Sequence, residues 1–378
     1  MTAAAGAPGT GTAFYHDERC LWHSTGEAVL FLPVGGWLQP LATGGHPESP
    51  ESKRRFKSLL DVSGLADRLD VLSAEPVTRE DMERVHPAAY LDRFAELSAG
   101  KGGEIGPEAL FSHGGFEIAA LSAGLAKRAV ADVVTGRYRN AYALSRPPGH
   151  HCLPDEGMGF CLLANIAIAV EAAKAEHGLG RVAVIDWDVH HGNGTEAVYY
   201  ERDDVLTVSI HQENCFPVDT GTTADRGRGA GLGYNLNVPL PPGAGHETYL
   251  AAMRDIVLPA VRDFAPELIV IASGLDANMV DPLARQLLYA DSFRQMTALV
   301  MEVADEVCDG RVVAVHEGGY AESEVPFCGL AIVETLSGIR TEVVDPFEET
   351  FIAQQPSART LTYQLAIVAE LVEELAGE

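Results

Sequence analysis

Five short apolar runs, rich in β-branched residues and separated by helix-patterned segments, constrain this chain more than any other feature. They are AYALS (141–145), VAVIDW (182–187), VLTVSI (205–210), LIVIAS (268–273) and VVAVH (312–316). Unbroken apolar character over a run this short fits a strand buried on both faces. Between them, GFEIAALSAGLAKRAVADVV (115–134), CLLANIAIAVEAAKAEHG (161–178) and ETYLAAMRDIVLPAVRDF (247–264) carry helical periodicity. This alternation predicts an α/β fold with a mainly parallel sheet flanked by helices. The 378 residues suffice for one large domain, and no repeat or clear linker divides them. Residues 35–50 and 100–115 are Gly/Pro-rich and read as surface loops. The amphipathic tail 361–378 reads as a helix that packs on its own domain or pairs with a second copy in a homo-oligomer.

Each apolar run is followed at once by residues that bind metals or move protons: RPPGHH, DWDVHHGNG, HQENCF, GLDANMVDP and EGGY. Ligands of open parallel sheets bind beyond the carboxyl ends of the strands, so these segments should build one pocket. Asp188 and His190 sit two apart, which places both on one side of an extended chain, and Asp276 from another strand end completes a three-ligand set. Three N/O ligands with a position left for water describe a catalytic metal site; zinc is the default, and ferrous iron suits the same donors. Asp186 lies deeper in its strand, where a carboxylate needs a partner, and the ring of His150 is the expected one. His150 and His151, on a loop stiffened by Pro147 and Pro148, suit activation of water and protonation of a leaving amine. Tyr320, after two glycines, suits donation to an oxyanion.

Net charge bounds the partners. With 27 Lys+Arg against 54 Asp+Glu, the chain carries −27 and repels phosphate backbones, so no nucleic acid partner is expected. Cationic ligands such as lysine-rich peptides or polyamines are favoured, and Asp17, Glu18 and Glu27 would border the pocket mouth. Six cysteines without a CxxC pair suggest reduced thiols in a cytoplasmic protein. The N-terminal residues 1–13 resemble a flexible tail, not a signal peptide, and no stretch reaches the roughly 20 apolar residues that a membrane span needs.

RPPGHH, MGFC, DWDVHHGNGT, SIHQENCFP, SGLDANMVDP and EGGY, in this order, resemble the histone deacetylase family from about Tyr15 to about Gly338. DPLAR (281–285) and PFCG (326–329) resemble its class II branch and the bacterial histone deacetylase-like amidohydrolases. The resemblance implies a single arginase-like catalytic domain over 14–378 with an eight-stranded, mainly parallel sheet. It implies zinc on Asp188, His190 and Asp276, tandem histidines at His150 and His151, a relay carboxylate at Asp186, and a transition-state tyrosine at Tyr320. Asn193 stands where some members place an aspartate behind the second histidine. The resemblance further implies a channel walled by Phe160 and Phe216, with Gly159 accepting from the substrate amide and Leu283 at the rim. Two potassium sites follow in the same way. One uses Asp186, Asp188, His190, Ser209 and Ile210; the other uses Tyr199, Arg202, Val205 and Tyr234.

The resulting expectation is a zinc-dependent amidohydrolase acting on acyl-lysine-like amides. An acetylpolyamine amidohydrolase would use the same site, and an inactive acyl-lysine-binding protein would use only its pocket. GRGAGLG (227–233) has the look of a dinucleotide loop but precedes a strand-like YNLNVPL instead of opening a helix.

Overall fold

The computed structural model describes residues 11–24, 28–29, 32–33 and 46–376. Residues 1–10, Glu27 and most of the Gly/Pro-rich stretch at 35–50 lie outside them.

The main sheet has eight strands: β1 Thr12–Tyr15, β2 Asp70–Leu72, β3 Asn140–Ala143, β4 Val182–Asp186, β5 Val205–Gln212, β6 Asn235–Leu240, β7 Leu268–Ser273 and β8 Val312–His316. Their order is β6-β5-β4-β7-β8-β3-β1-β2, and every adjacent pair is parallel. The expected eight-stranded α/β architecture is therefore present. Five of the strands fall on the apolar runs and β6 on YNLNVPL. The boundary drawn at residue 13 is corrected: Thr12 and Ala13 belong to β1 and pair with Asn140 and Ala141, and Ala13 is fully buried. Four residues are too short a run for apolar periodicity to register.

Strand alternation divides the core between the two faces of the sheet. Ile269 and Ile271 of β7 join Ala183 and Ile185 of β4 in one cluster, with Phe293, Met296 and Val300 of the helix Ala290–Val307. Leu268, Val270 and Ala272 point the other way with Val182 and Val184, against Ala119, Ala123 and Ala126 of the helix Gly115–Val134. Burial of both faces is what removes polar alternation from these strands. The segment 247–264, expected as one helix, is interrupted by a π turn at Met253–Val257, in which Leu258 N–H donates to the Met253 carbonyl. Pro259 lies just beyond, and its lack of an N–H is tolerated at the start of the next helical segment. The C-terminal helix Ala358–Ala376 packs on its own chain through Val368, Leu371 and Leu375.

Chain order reverses around the centre of the sheet. From β4 the chain steps outward to β5 and β6, then returns to lay β7 and β8 between β4 and β3. The carboxyl ends of these four central strands define the crevice where a ligand would sit.

Candidate active site

The residues expected for zinc and for proton transfer sit at that crevice. Asp188 and His190 follow β4 in a bend beyond the strand, so local hydrogen bonds, not strand alternation, set their directions. Asp186 Oδ1 accepts from Asp188 N–H at 3.0 Å, and Asp188 Oδ1 accepts from His190 N–H at 2.9 Å. Asp276 follows β7 and reaches the same place: its Oδ1 accepts from Val189 N–H at 2.8 Å and its Oδ2 lies 3.2 Å from His190 Nδ1. One ligand atom each from Asp188, His190 and Asp276 fall within 4.8 Å of one another, and all three residues are buried.

These donors suit a divalent cation. Burial, and next the charge of Asp188, push the Asp276 carboxyl up to about 6. Burial also opposes ionisation of Asp188, but His150 and His190 overcome it and hold that carboxyl below its usual range. A cation between them would relieve the repulsion of two buried carboxylates. Space is kept by backbone: a β-carbon on Gly318 would collide with the carboxylates of both Asp276 and Asp188. Gly318 N–H instead donates to Asp188 Oδ2 at 2.8 Å.

His150 and His151 follow β3, with ring centroids 3.9 Å apart. His150 Nδ1 lies 2.9 Å from Asp186 Oδ2, the pairing expected for that buried carboxylate. His151 Nδ1 lies 2.8 Å from Asn193 Oδ1. The two imidazoles differ in environment. Burial lowers the basicity of His150, but Asp188 and Asp186 outweigh it and raise its pKa to about 10. Burial, then His150 and His190, push His151 well below the ordinary histidine value. Paired groups driven apart in this way can serve as acid and base in one reaction.

A cavity of about 490 Å³ opens beside these residues, lined by Met158, Gly159, Phe160, Phe216, Leu283 and Tyr320 together with His151 and His190. Phe160 meets the Tyr320 ring edge-on at 5.8 Å, and Phe216 meets His151 at 5.0 Å. Gly159 has φ 52°, and a β-carbon there would lie 2.6 Å from the His151 ring and 2.7 Å from Phe216. Only glycine lets the backbone pass this close to both walls. Asp17 and Glu18 do not line the cavity: Asp17 is held by Arg19 and Ser73, and Glu18 lies 3.5 Å from His16. Among the described residues the acidic one in the lining is Glu108, with Arg285 also at the wall.

The residues implied for potassium are placed as follows. Asp186 pairs in register with Ser209, whose hydroxyl contacts His211 Nδ1 at 3.0 Å and accepts from Gly192 N–H at 3.3 Å. Ile210 follows in β5. Tyr199 ends the helix Asn193–Tyr199, its carbonyl accepts from Arg202 N–H at 2.9 Å, and Val205 opens β5. The Tyr234 carbonyl accepts from Thr207 N–H at 3.0 Å. GRGAGLG forms only a short turn at Gly229–Gly231 ahead of β6.

Three groups of this region escaped sequence reasoning. Asp281 accepts from the Tyr320 and Leu283 amides at 2.9 and 3.0 Å, and burial pushes its carboxyl up to about 7. Lys53 places Nζ 5.2 Å from the Tyr320 ring centroid and 3.3 Å from the Gly319 carbonyl. Glu317 accepts from the backbone of the tandem-histidine loop. Asp281 and Glu317 both stand in strand-end segments already singled out, so position alone was an available signal; Lys53 carries none.

Comparison with known proteins bears on the family and the fold. The histone deacetylase domain matches residues 46–336. The chain is 59% identical to the histone deacetylase-like amidohydrolase of Pseudomonas aeruginosa over 367 residues, covering 97% of this chain and 96% of that protein. It is 39% identical to a probable deacetylase of Archaeoglobus fulgidus over 298 residues, 77% of this chain and 82% of the other. The crystal structure of the HDA15 HD domain superposes with a TM-score of 0.80 at 30% identity, covering 98% of this chain and all of that one. Fold, order of motifs and near full-length identity lead to one assignment: this chain belongs to the histone deacetylase family.

Proposed function

We propose that this protein removes acetyl or related acyl groups from lysine-like amides, with one zinc ion held by Asp188, His190 and Asp276. The observation that carries this reading is the grouping of that ligand set with two imidazoles of opposed basicity, beside a cavity that His151, His190 and Tyr320 line. When bound, the ion supplies Lewis acidity toward the amide carbonyl and toward water. The chain's own groups do the rest. A neutral His151 that donates from Nδ1 to Asn193 Oδ1 keeps its Nε2 lone pair free to take the proton of the attacking water. The Asn193 amide is oriented for this by its Nδ2, which donates to Met158 Sδ at 3.5 Å. His150, paired with Asp186, holds positive charge beside the site, and a protonated imidazole returns a proton to the departing amine. The Tyr320 hydroxyl donates to the developing oxyanion. Phe160 and Phe216 flank the neutral methylene stem, Leu283 meets it at the rim, and the Gly159 carbonyl takes the amide N–H. Potassium at Asp186, Asp188, His190, Ser209 and Ile210, and at Tyr199, Arg202, Val205 and Tyr234, belongs to the same reading, as does a cytoplasmic setting. Among the described residues, no helix is long and apolar enough to cross a membrane.

Glu108 at the cavity wall favours a second substrate, since its carboxylate suits the distal ammonium of an acetylpolyamine. Turnover of metal-reconstituted protein on acetyl-lysine peptides and acetylpolyamines tests both. Higher kcat/KM on peptides is expected. A large polyamine preference would reassign the substrate, and tight binding of an acyl-lysine analogue without cleavage of any acyl amide would refute the enzyme reading.

A further inference from the structure

The tandem-histidine loop has few ways to hold its own backbone. Pro147 and Pro148 have no N–H, so Gly149 and His150 supply the only main-chain donors between them and His151. Both donors go to one atom: Glu317 Oε2 accepts from Gly149 N–H at 2.6 Å and from His150 N–H at 3.0 Å. Glu317 is fully buried and does not line the substrate cavity. Its own N–H donates to the Ser273 carbonyl at the end of β7, and the next residue, Gly318, donates to Asp188 Oδ2. One dipeptide therefore grips the loop of imidazoles with its side chain and a ligand carboxylate with its backbone. Two adjacent amides aimed at a single acceptor also fix the orientation of the intervening peptide, and with it the direction in which both rings leave the chain.

We propose that Glu317 is a positioning residue for catalysis, setting His150 and His151 relative to Asp188 by acting as sole acceptor for the loop's two amides. The proposal rests on the reading of His150 and His151 as the proton-transfer pair. Among the described residues Glu317 Oε1 has no hydrogen-bond partner, and ligand atoms of Glu317, His150 and Cys161 fall within 4.8 Å of one another. A role as ion ligand is therefore the alternative outcome of the test.

Two variants separate these possibilities. E317Q keeps a carbonyl acceptor at the same reach, whereas E317L fills the space without one. Kinetics on an acetyl-lysine peptide, metal content, and amide hydrogen exchange at Gly149 and His150 are measured for each. For E317L we expect kcat to fall about 100-fold with KM within about threefold, the scale expected of misplaced catalytic groups. Metal content should be unchanged, and exchange at the two amides should rise while the Gly318 amide stays protected. E317Q should restore most of kcat. Wild-type kcat and protection in E317L would overturn the proposal, and so would a loss of kcat matched by a loss of bound metal. Should E317L not fold, faster exchange at these two amides in E317Q, whose neutral acceptor is weaker, supports the proposal, and unchanged exchange overturns it. If wild-type protein cleaves no acyl amide, the functional reading fails while the exchange measurement still decides the role of Glu317.

Discussion

Two buried clusters of charge meet the turn Glu317–Tyr320, and they are balanced in different ways. In the first, Glu48 lies 3.3 Å from Lys53 and 2.9 Å from Arg146. Arg146 also donates to the carbonyls of Cys20, His23 and Glu48, and Lys53 to that of Gly319. Both cations reach the one carboxylate, and backbone carbonyls take the other named donors. In the second, Asp186, Asp188 and Asp276 crowd together, and His150 and His190 balance them only by taking up protons well above their ordinary range. The first cluster is a closed unit that ties residues distant in sequence to the floor of the site. The second is left open toward a cavity, and charge left unbalanced at a cavity is how a protein prepares for a cation. Burial is the same in both; what differs is the sign left over, since one carboxylate faces two cations in the first while carboxylates outnumber imidazoles in the second.

The largest expected effect breaks the closed cluster. Glu48→Gln keeps the shape but leaves Lys53 and Arg146 buried without a carboxylate, which should cost about 3–5 kcal/mol of stability in urea denaturation. Stability close to wild type would show that solvent or other groups supply the balance. Next comes the open cluster's chemistry. Tyr320→Phe should lower kcat by about 10²–10³, or about 2.7–4 kcal/mol in the barrier, with little change in folding stability. Near-normal turnover would remove Tyr320 from the reaction.

The comparison also explains what could be read from the sequence. The five central strands and the helix Gly115–Val134 were legible because burial on both faces, or on one helical stripe, writes itself into local composition. Asp188, His190 and Asp276 were legible because strand ends of a parallel sheet converge, so local position carried tertiary meaning. The closed cluster was not. Glu48 and Arg146 stand 98 residues apart, and an acid, a lysine and an arginine scattered through a charged chain look like solvated surface until the fold joins them. β1 and β2 were missed for a related reason. They are short, and Asp70 and Val71 of β2 are exposed at the sheet edge, so no apolar run marks them.

A smaller effect sharpens the contrast. A divalent cation should stabilise the protein by about 2.7 kcal/mol at one hundred times its Kd, and Asp276→Asn should abolish most of that gain in thermal unfolding. An equal gain in the variant would place the ion elsewhere. The smallest effect concerns a third cluster, outside the cavity lining, where Glu324 and Asp345 each leave one buried oxygen unpartnered among the described residues. Burial, and then Asp345, push the Glu324 carboxyl up to about 8. The folded state thus keeps a proton that the unfolded chain releases near its ordinary value, so stability falls as pH rises through this interval. Glu324→Gln should lessen that fall and raise Tm near pH 8 by about 2–4 °C, with no gain near pH 4. A gain independent of pH would mean that packing, not a shared proton, is responsible. Here imbalance is met by a proton; at the cavity it would be met by a metal.

Counting bound divalent ions most directly tests whether Asp188, His190 and Asp276 form one metal site. After dialysis against a weak chelator and reconstitution, wild-type protein and Tyr320→Phe should each retain one equivalent per chain, while Asp276→Ala retains none. One equivalent held by Asp276→Ala with wild-type affinity would contradict the account.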